Sequence, residues 1–220
     1  ADNNTGVGYN ALAANITGQQ NTALGAESLY TNSTGNGVVA VGRQALYAST
    51  ASDNTAIGHN VMVANTSGTL NVAVGGGVYG STGGALSANT TGSYNTAVGH
   101  SALAANTTAS NNTAVGYQAG SSNTTGTQNT FVGRAAGQNN TTGAYQAVLG
   151  DGALETNTTG LSNTAIGQYA LRLNTTASNN TAVGYQAGNS NTTGANNSFI
   201  GYAVGYANTT GTENVGVGGQ

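Results

Sequence analysis

A glycine that follows an aliphatic residue recurs along the whole chain, at Gly8, Gly25, Gly42, Gly58, Gly75, Gly99, Gly116, Gly133, Gly150, Gly167, Gly184, Gly201 and Gly218. The successive gaps are 17, 17, 16, 17 and 24 residues, and 17 thereafter. A period this regular constrains the architecture more than any local motif. Repeat chains stack their units in one dimension, so the 220 residues count coils rather than separate compact bodies.

One unit reads N-T-A-V-G-Y-Q-A-L-x-x-N-T-T-G-x-x. The fourth position is aliphatic in every copy: Val7, Leu24, Val41, Ile57, Val74, Val98, Val115, Val132, Leu149, Ile166, Val183, Ile200 and Val217. That invariance marks it as the expected inward core row. The third position is mostly Ala, with Phe131, Phe199 and Val148 larger, and the second is mostly Thr. Thr-Ala-Val suits a short strand, because β-branched residues fit the pleated surface. The first position is Asn except at Val38 and Gln146. A second apolar pair follows, as in Ala45-Leu46 and Ala170-Leu171, with Gly replacing Leu at Gly120, Gly137, Gly188 and Gly205. Then comes Asn-Thr-Thr-Gly, as at Asn89–Gly92, where a tight corner is expected to use the tolerance of Asn and Gly for positive φ.

Two short extended runs and two corners per 17 residues describe one coil of a parallel β-solenoid. The fold class is therefore all-β, a β-roll of about 12–13 coils forming one repeat domain over 1–220. A helical repeat is excluded by the β-branched and glycine-rich punctuation and by the short period. Parallel stacking places like residues about 4.8 Å apart, so Asn over Asn and Thr over Thr form hydrogen-bonded ladders. The 24-residue gap carries an insertion, about 76–84, expected to bulge as a loop. Asn106–Gly133 closely matches Asn174–Gly201, including Phe131 against Phe199, which suggests duplication of a four-coil block.

Only three residues are basic and six acidic, for a net charge of −3. Nucleic-acid binding needs many cationic contacts to phosphate, and a basic membrane patch needs a Lys/Arg cluster; neither is present. No apolar run approaches the roughly 20 residues of a membrane helix, so no membrane insertion is expected. Cys is absent, which removes disulfides and thiolate metal sites. Pro is absent too, as suits a chain whose backbone N–H groups are nearly all wanted by ladders. The sequence begins and ends inside repeat units and reads as a piece of something longer.

Chemistry-bearing motifs are sparse. Gly75–Gly80 fits G-x-G-x-x-G, but no amphipathic helix follows, so no dinucleotide site is expected. His59 and His100 fall two coils apart, too far to share a metal, and are read as exposed. The carboxylates Asp2, Glu27, Asp53, Asp151, Glu155 and Glu213 are scattered, and Asp151 and Glu155 form the closest pair. There is no nucleophile–base constellation, so no enzyme, cofactor or metal is expected. Sixteen N-x-[ST] triplets occur. Asn106, Asn123, Asn157 and Asn191 are thus candidate glycan acceptors, although Asn and Thr also serve as ladder and corner residues. Tyr9, Tyr117, Tyr185 and Tyr202 offer contact area for sugars or partners.

Asn112-Thr113-Ala114-Val115-Gly116-Tyr117-Gln118-Ala119 resembles the first half of the head repeat of YadA-like trimeric autotransporter adhesins, N-S-V-A-I-G-x-x-A. Similar repeats occur in tail-fibre-like proteins of phages and large viruses. The resemblance covers nearly the whole chain, although the second half of each unit is about three residues longer here. It implies a left-handed parallel β-roll, commonly trimeric, that serves as an exposed fibre or adhesive head. Each coil buries few large side chains, so a further apolar face is expected to be covered by sister chains. These readings converge on a non-enzymatic structural protein, a segment or subunit of an extracellular, cell-surface or virion-surface fibre, filament or adhesin. Its expected partners are other copies of itself, as a trimer or head-to-tail filament, and host-surface glycan or protein. The alternative is an ice-binding β-solenoid using Thr ladders. Its rows are interrupted at Val39, Val72, Ala147 and Val215 on one side and at Ile16, Ser33 and Ser67 on the other.

Overall fold

The computed structural model describes residues 2–78 and 83–219. The strands are three residues each: β1 (Thr5–Val7), β2 (Thr22–Leu24), β3 (Val39–Val41), β4 (Thr55–Ile57), β5 (Val72–Val74) and β6 (Thr96–Val98) come first. They are followed by β7 (Thr113–Val115), β8 (Thr130–Val132), β9 (Ala147–Leu149), β10 (Thr164–Ile166), β11 (Thr181–Val183), β12 (Ser198–Ile200) and β13 (Val215–Val217). The chain forms two compact units, Ala1–Asn111 and Asn112–Gln220. Each unit is a parallel β-solenoid contributing one strand per coil, with no helix among the described residues.

Pairing is parallel and keeps repeat positions in register. Thr22 stands beside Val39 and Leu24 beside Val41; farther on, Thr164 stands beside Thr181 and Ile166 beside Val183. The register survives both irregular gaps, with Val41 opposite Ile57 and Val74 opposite Val98. Length changes are absorbed at the corners. The short coil replaces Asn-Thr-Thr-Gly by Ser49-Thr50-Ala51, where Ser49 Oγ accepts from the Ala51 N–H and from Asn65 Nδ2. At the long gap, a Cβ on Gly77 would lie 2.9 Å from Gly84 N, so the extra chain leaves and re-enters at one place. The tip, residues 79–82, lies outside the described residues, as does part of the G-x-G-x-x-G match.

The inward row is not the one the invariance of Val and Ile suggests. Side chains of the third position are buried: Ala23, Ala40, Ala56, Ala73, Ala97, Ala114, Phe131, Val148, Ala165, Ala182 and Phe199. The fourth position faces outward. Val7, Leu24, Ile57, Val98, Val115, Leu149, Ile166, Ile200 and Val217 are exposed, and Val41, Val74, Val132 and Val183 are half-buried. The cause is parity. The first-position Asn lies inside, where its amide finds partners, and a period of two then turns positions 2 and 4 out and position 3 in. The interior is filled from the opposite wall by the second apolar pair, including Leu29, Leu46, Met62, Leu86, Leu103, Leu154 and Leu171, all fully buried.

Two exceptions show that positions 3 and 9 share one volume. Phe131 and Phe199 replace Ala, and their neighbours replace Leu by Gly. A Cβ on Gly137 would lie 2.2 Å from the Phe131 ring, and one on Gly205 would lie 2.5 Å from the Phe199 ring. The aromatic ring takes the room that Leu occupies elsewhere, at near-constant volume.

Amide ladders complete the interior. In the second unit, Nδ2 of Asn140, Asn157, Asn174, Asn191 and Asn208 each donates to Oδ1 of the Asn one coil earlier, at 2.8–3.0 Å. A second row uses Oδ1 to accept a backbone N–H from the next coil, as from Asn129 N to Asn112 and Asn197 N to Asn180. The rows meet on shared carbonyls: Gly126 O accepts from both Asn112 and Asn123, and Gly143 O from both Asn129 and Asn140. The first unit repeats this at Gly92 O, with Asn71 and Asn89. The buried amides of these two rows are thereby satisfied within and between coils.

The Asn-Thr-Thr-Gly corner does not use positive φ. Neither Asn89 nor Gly92 has it; the left-handed conformation falls instead on the residue before the next first position, as at Tyr94, Gln128, Tyr145 and Asn196, and on the buried Leu. The marker glycine has φ of 123–143°. A Cβ there would also strike the next coil, as at Gly150, 2.5 Å from Gly167 O. Both the dihedral and the close approach require glycine at this place.

Candidate functional site

Within each unit the strands present one outward face. Positions 2 and 4 alternate on it, giving a Thr-rich row beside the aliphatic row. No strand residue is charged. The face is bordered by the positive-φ corner on one side, with Gln128, Tyr145, Ser162, Asn179 and Asn196 in the second unit. On the other side stand the residues after the marker glycine.

Arg43 and Arg134 stand on that second border, whereas Arg172 follows the buried Leu171 of the opposite wall. Arg134 reaches Asp151 at 2.8 Å and Arg172 reaches Glu155 at 2.7 Å, each across one coil. Arg43 stands 3.9 Å from Glu27, which also accepts from Gln44 Nε2 at 2.8 Å. Asp151 and Glu155, the nearest carboxylates in sequence, thus serve different arginines rather than one reaction centre. Arg172 additionally lies over the Tyr169 ring at 4.8 Å. The hydrogen bond that Arg172 donates to Glu155 raises its guanidinium pKa above the ordinary value, and the one Arg134 donates to Asp151 does the same for Arg134. A raised folded-state pKa contributes stability that persists below the ordinary arginine value and is lost only above it. These pairs therefore give no pH dependence across the neutral and mildly alkaline range.

His59 and His100 are half-buried rather than exposed. The His59 ring lies 3.3 Å from Arg43 and 3.4 Å from Gly77 O, and the His100 ring lies 3.0 Å from Ser101 Oγ. Both flank the insertion. Among the described residues, no group of three His, Cys, Asp or Glu is placed to hold a metal. Tyr30 stacks on Tyr47 at 5.1 Å and Tyr185 on Tyr202 at 5.4 Å, so these rings also cover one another along the coils.

Asn106, Asn123, Asn157 and Asn191 are fully buried. The Nδ2 of each donates to a carbonyl three residues on, and those of Asn106, Asn157 and Asn191 also donate to the previous ladder Asn. A glycan on any of them is incompatible with the ladder, which removes all four as acceptors in the folded chain. The triplets whose Asn is exposed begin at Asn3, Asn111, Asn139, Asn179 and Asn196.

Comparison with known protein families, with curated proteins and with solved structures finds no match for this chain.

Proposed function

We propose that this chain is a non-enzymatic structural protein, a segment or subunit of an extracellular, cell-surface or virion-surface fibre or adhesin. One observation carries the reading. Many buried amides and backbone donors bond the same or the adjacent repeat position of the neighbouring coil, as Asn157 Nδ2 bonds Asn140 Oδ1 and Thr164 N–H bonds Asn180 O, so much of the sequence is spent on stacking. The Asn ladders are one part of this, and the Thr staircase is another: Thr124, Thr141, Thr158 and Thr175 each donate Oγ1 to the next corner carbonyl. The resemblance of Asn112–Ala119 to trimeric adhesin heads points the same way. Stiffness and protease resistance follow from such an array, and the tyrosines and corner amides supply contact groups for host-surface glycan or protein. Electron microscopy of the purified chain tests this, with elongated particles or filaments expected. Compact globular particles would overturn it.

A second reading, ice binding, is favoured by one feature: the Thr row shares the outward face with the aliphatic row, as at Thr164 and Ile166. Thermal hysteresis at millimolar protein is its expected signature, and no hysteresis ends it.

A further inference from the structure

The structural reading leaves open which surface joins one molecule to another, and the inference below rests on that reading. We infer that the outward strand face, centred on the fourth-position aliphatic row, is a lateral interface that takes a second copy of this chain.

In the second unit the row runs Val115, Val132, Leu149, Ile166, Val183, Ile200 and Val217, with Leu149 51% and Ile200 44% exposed. In the first unit it runs from Val7 to Val98, with Leu24 48% exposed. An aliphatic residue is kept at this place in every coil although it points away from the interior. Thr, which is equally β-branched and more soluble, stands two residues earlier and would serve as well if the row faced only water. Soluble monomers seldom keep a contiguous apolar strip of this length uncovered.

Three properties select a second copy as the occupant. The row repeats at the ladder spacing of about 4.8 Å, and only a surface with the same spacing meshes with it over many coils. A second copy of this chain provides that surface. The face carries no charge, so two copies meet without an unpaired buried ion, and outward Thr and Val interdigitate in the manner of paired dry sheets. Finally, each coil offers on the order of 100 Å² of this face, so the six or seven coils of one unit offer about 600–700 Å², within the roughly 600–1,000 Å² per partner of specific interfaces. The rim is polar on both sides, with Gln128 and Asn179 on one and the Arg134–Asp151 pair on the other. An apolar centre within a polar border is the usual anatomy of such contacts.

The experiment is sedimentation of the full chain beside an Ile166→Lys, Ile200→Lys variant. Both side chains point outward, so the interior volume is unchanged, and far-UV circular dichroism checks that the coil fold persists. The wild-type chain is expected to sediment as a dimer or larger species at micromolar concentration. The variant should be monomeric, with its dissociation constant raised roughly a hundredfold or more. A wild-type chain that stays monomeric overturns the inference, and ice shaping by that monomer would assign the face to ice instead. A variant that associates as the wild type does would also overturn it. If micrographs show elongated particles while the variant associates normally, the structural reading stands and only the interface fails. If neither association nor elongated particles appear, both fail.

Discussion

At the scale of single residues, the buried asparagines carry the most specific chemistry. Asn157 donates to Asn140 Oδ1 and Gly160 O and accepts from Asn174 Nδ2. Asn157→Ala removes all three bonds, leaving Gly160 O with Gln146 Nε2 and Asn174 Nδ2 with Ala177 O, and is expected to cost about 1–3 kcal/mol in chemical denaturation. Asn157→Asp keeps the shape but replaces two donors by acceptors and buries a charge. It should destabilise more than Ala at neutral pH, and the difference should shrink as pH falls and the buried carboxyl takes up its proton. Gly137 shows a different dependence. Gly137→Ala adds a Cβ against the Phe131 ring and should cost about 1–3 kcal/mol by overpacking. Phe131→Ala combined with Gly137→Leu recreates the pairing of the other coils. That double variant should recover most of the loss in a thermal melt, whereas either change alone should not.

At the scale of the strand, inward and outward positions should respond oppositely to size. Ala165→Leu forces extra volume into a fully buried row, while Ile166→Ala removes an outward side chain. In a monomeric background the first is expected to cost about 1–3 kcal/mol and the second under about 1 kcal/mol, read from denaturant midpoints. The reverse order would contradict the parity assigned to the strands. The outward placement of Val and Ile, against the expected core row, is decided at this scale. Hydrophobicity alone ranks Ile166 above Ala165, but a three-residue strand is too short for alternation to announce its inner face. The Asn at position 1 carried the needed signal, since a buried amide row fixes the parity of the positions after it. The exchange of Leu for Gly beside Phe131 and Phe199 carried it a second time.

For the molecule as a whole, ladder hydrogen bonds and packing hold the coils, and ions contribute little. The three arginine pairs are partly exposed, with Arg134 59% and Arg172 43% open at the side chain. Exposed pairs contribute little and are screened by salt. The melting temperature should therefore change by only a few degrees between low salt and about 1 M NaCl. A large fall would show that charge pairs hold the coils together. Repeated identical contacts also mean that a single disruptive change is felt mainly by its own coil and the two beside it.

The period in the sequence determined the solenoid, its coil length, its in-register pairing and its amide ladders, because a residue repeated every 17 places can meet its own kind only by stacking. Composition determined the absence of charge on the strands. The tertiary structure decided which side of each strand is inside, because that depends on how Asn, Ala and the Leu of the opposite wall share one cross-section. It decided that the triplet asparagines of the corners are unavailable for glycans, since burial and partners are properties of the closed coil. It also turned the most invariant aliphatic row from a core into an exposed face, because a side chain's role depends on which way a pleat of period two directs it.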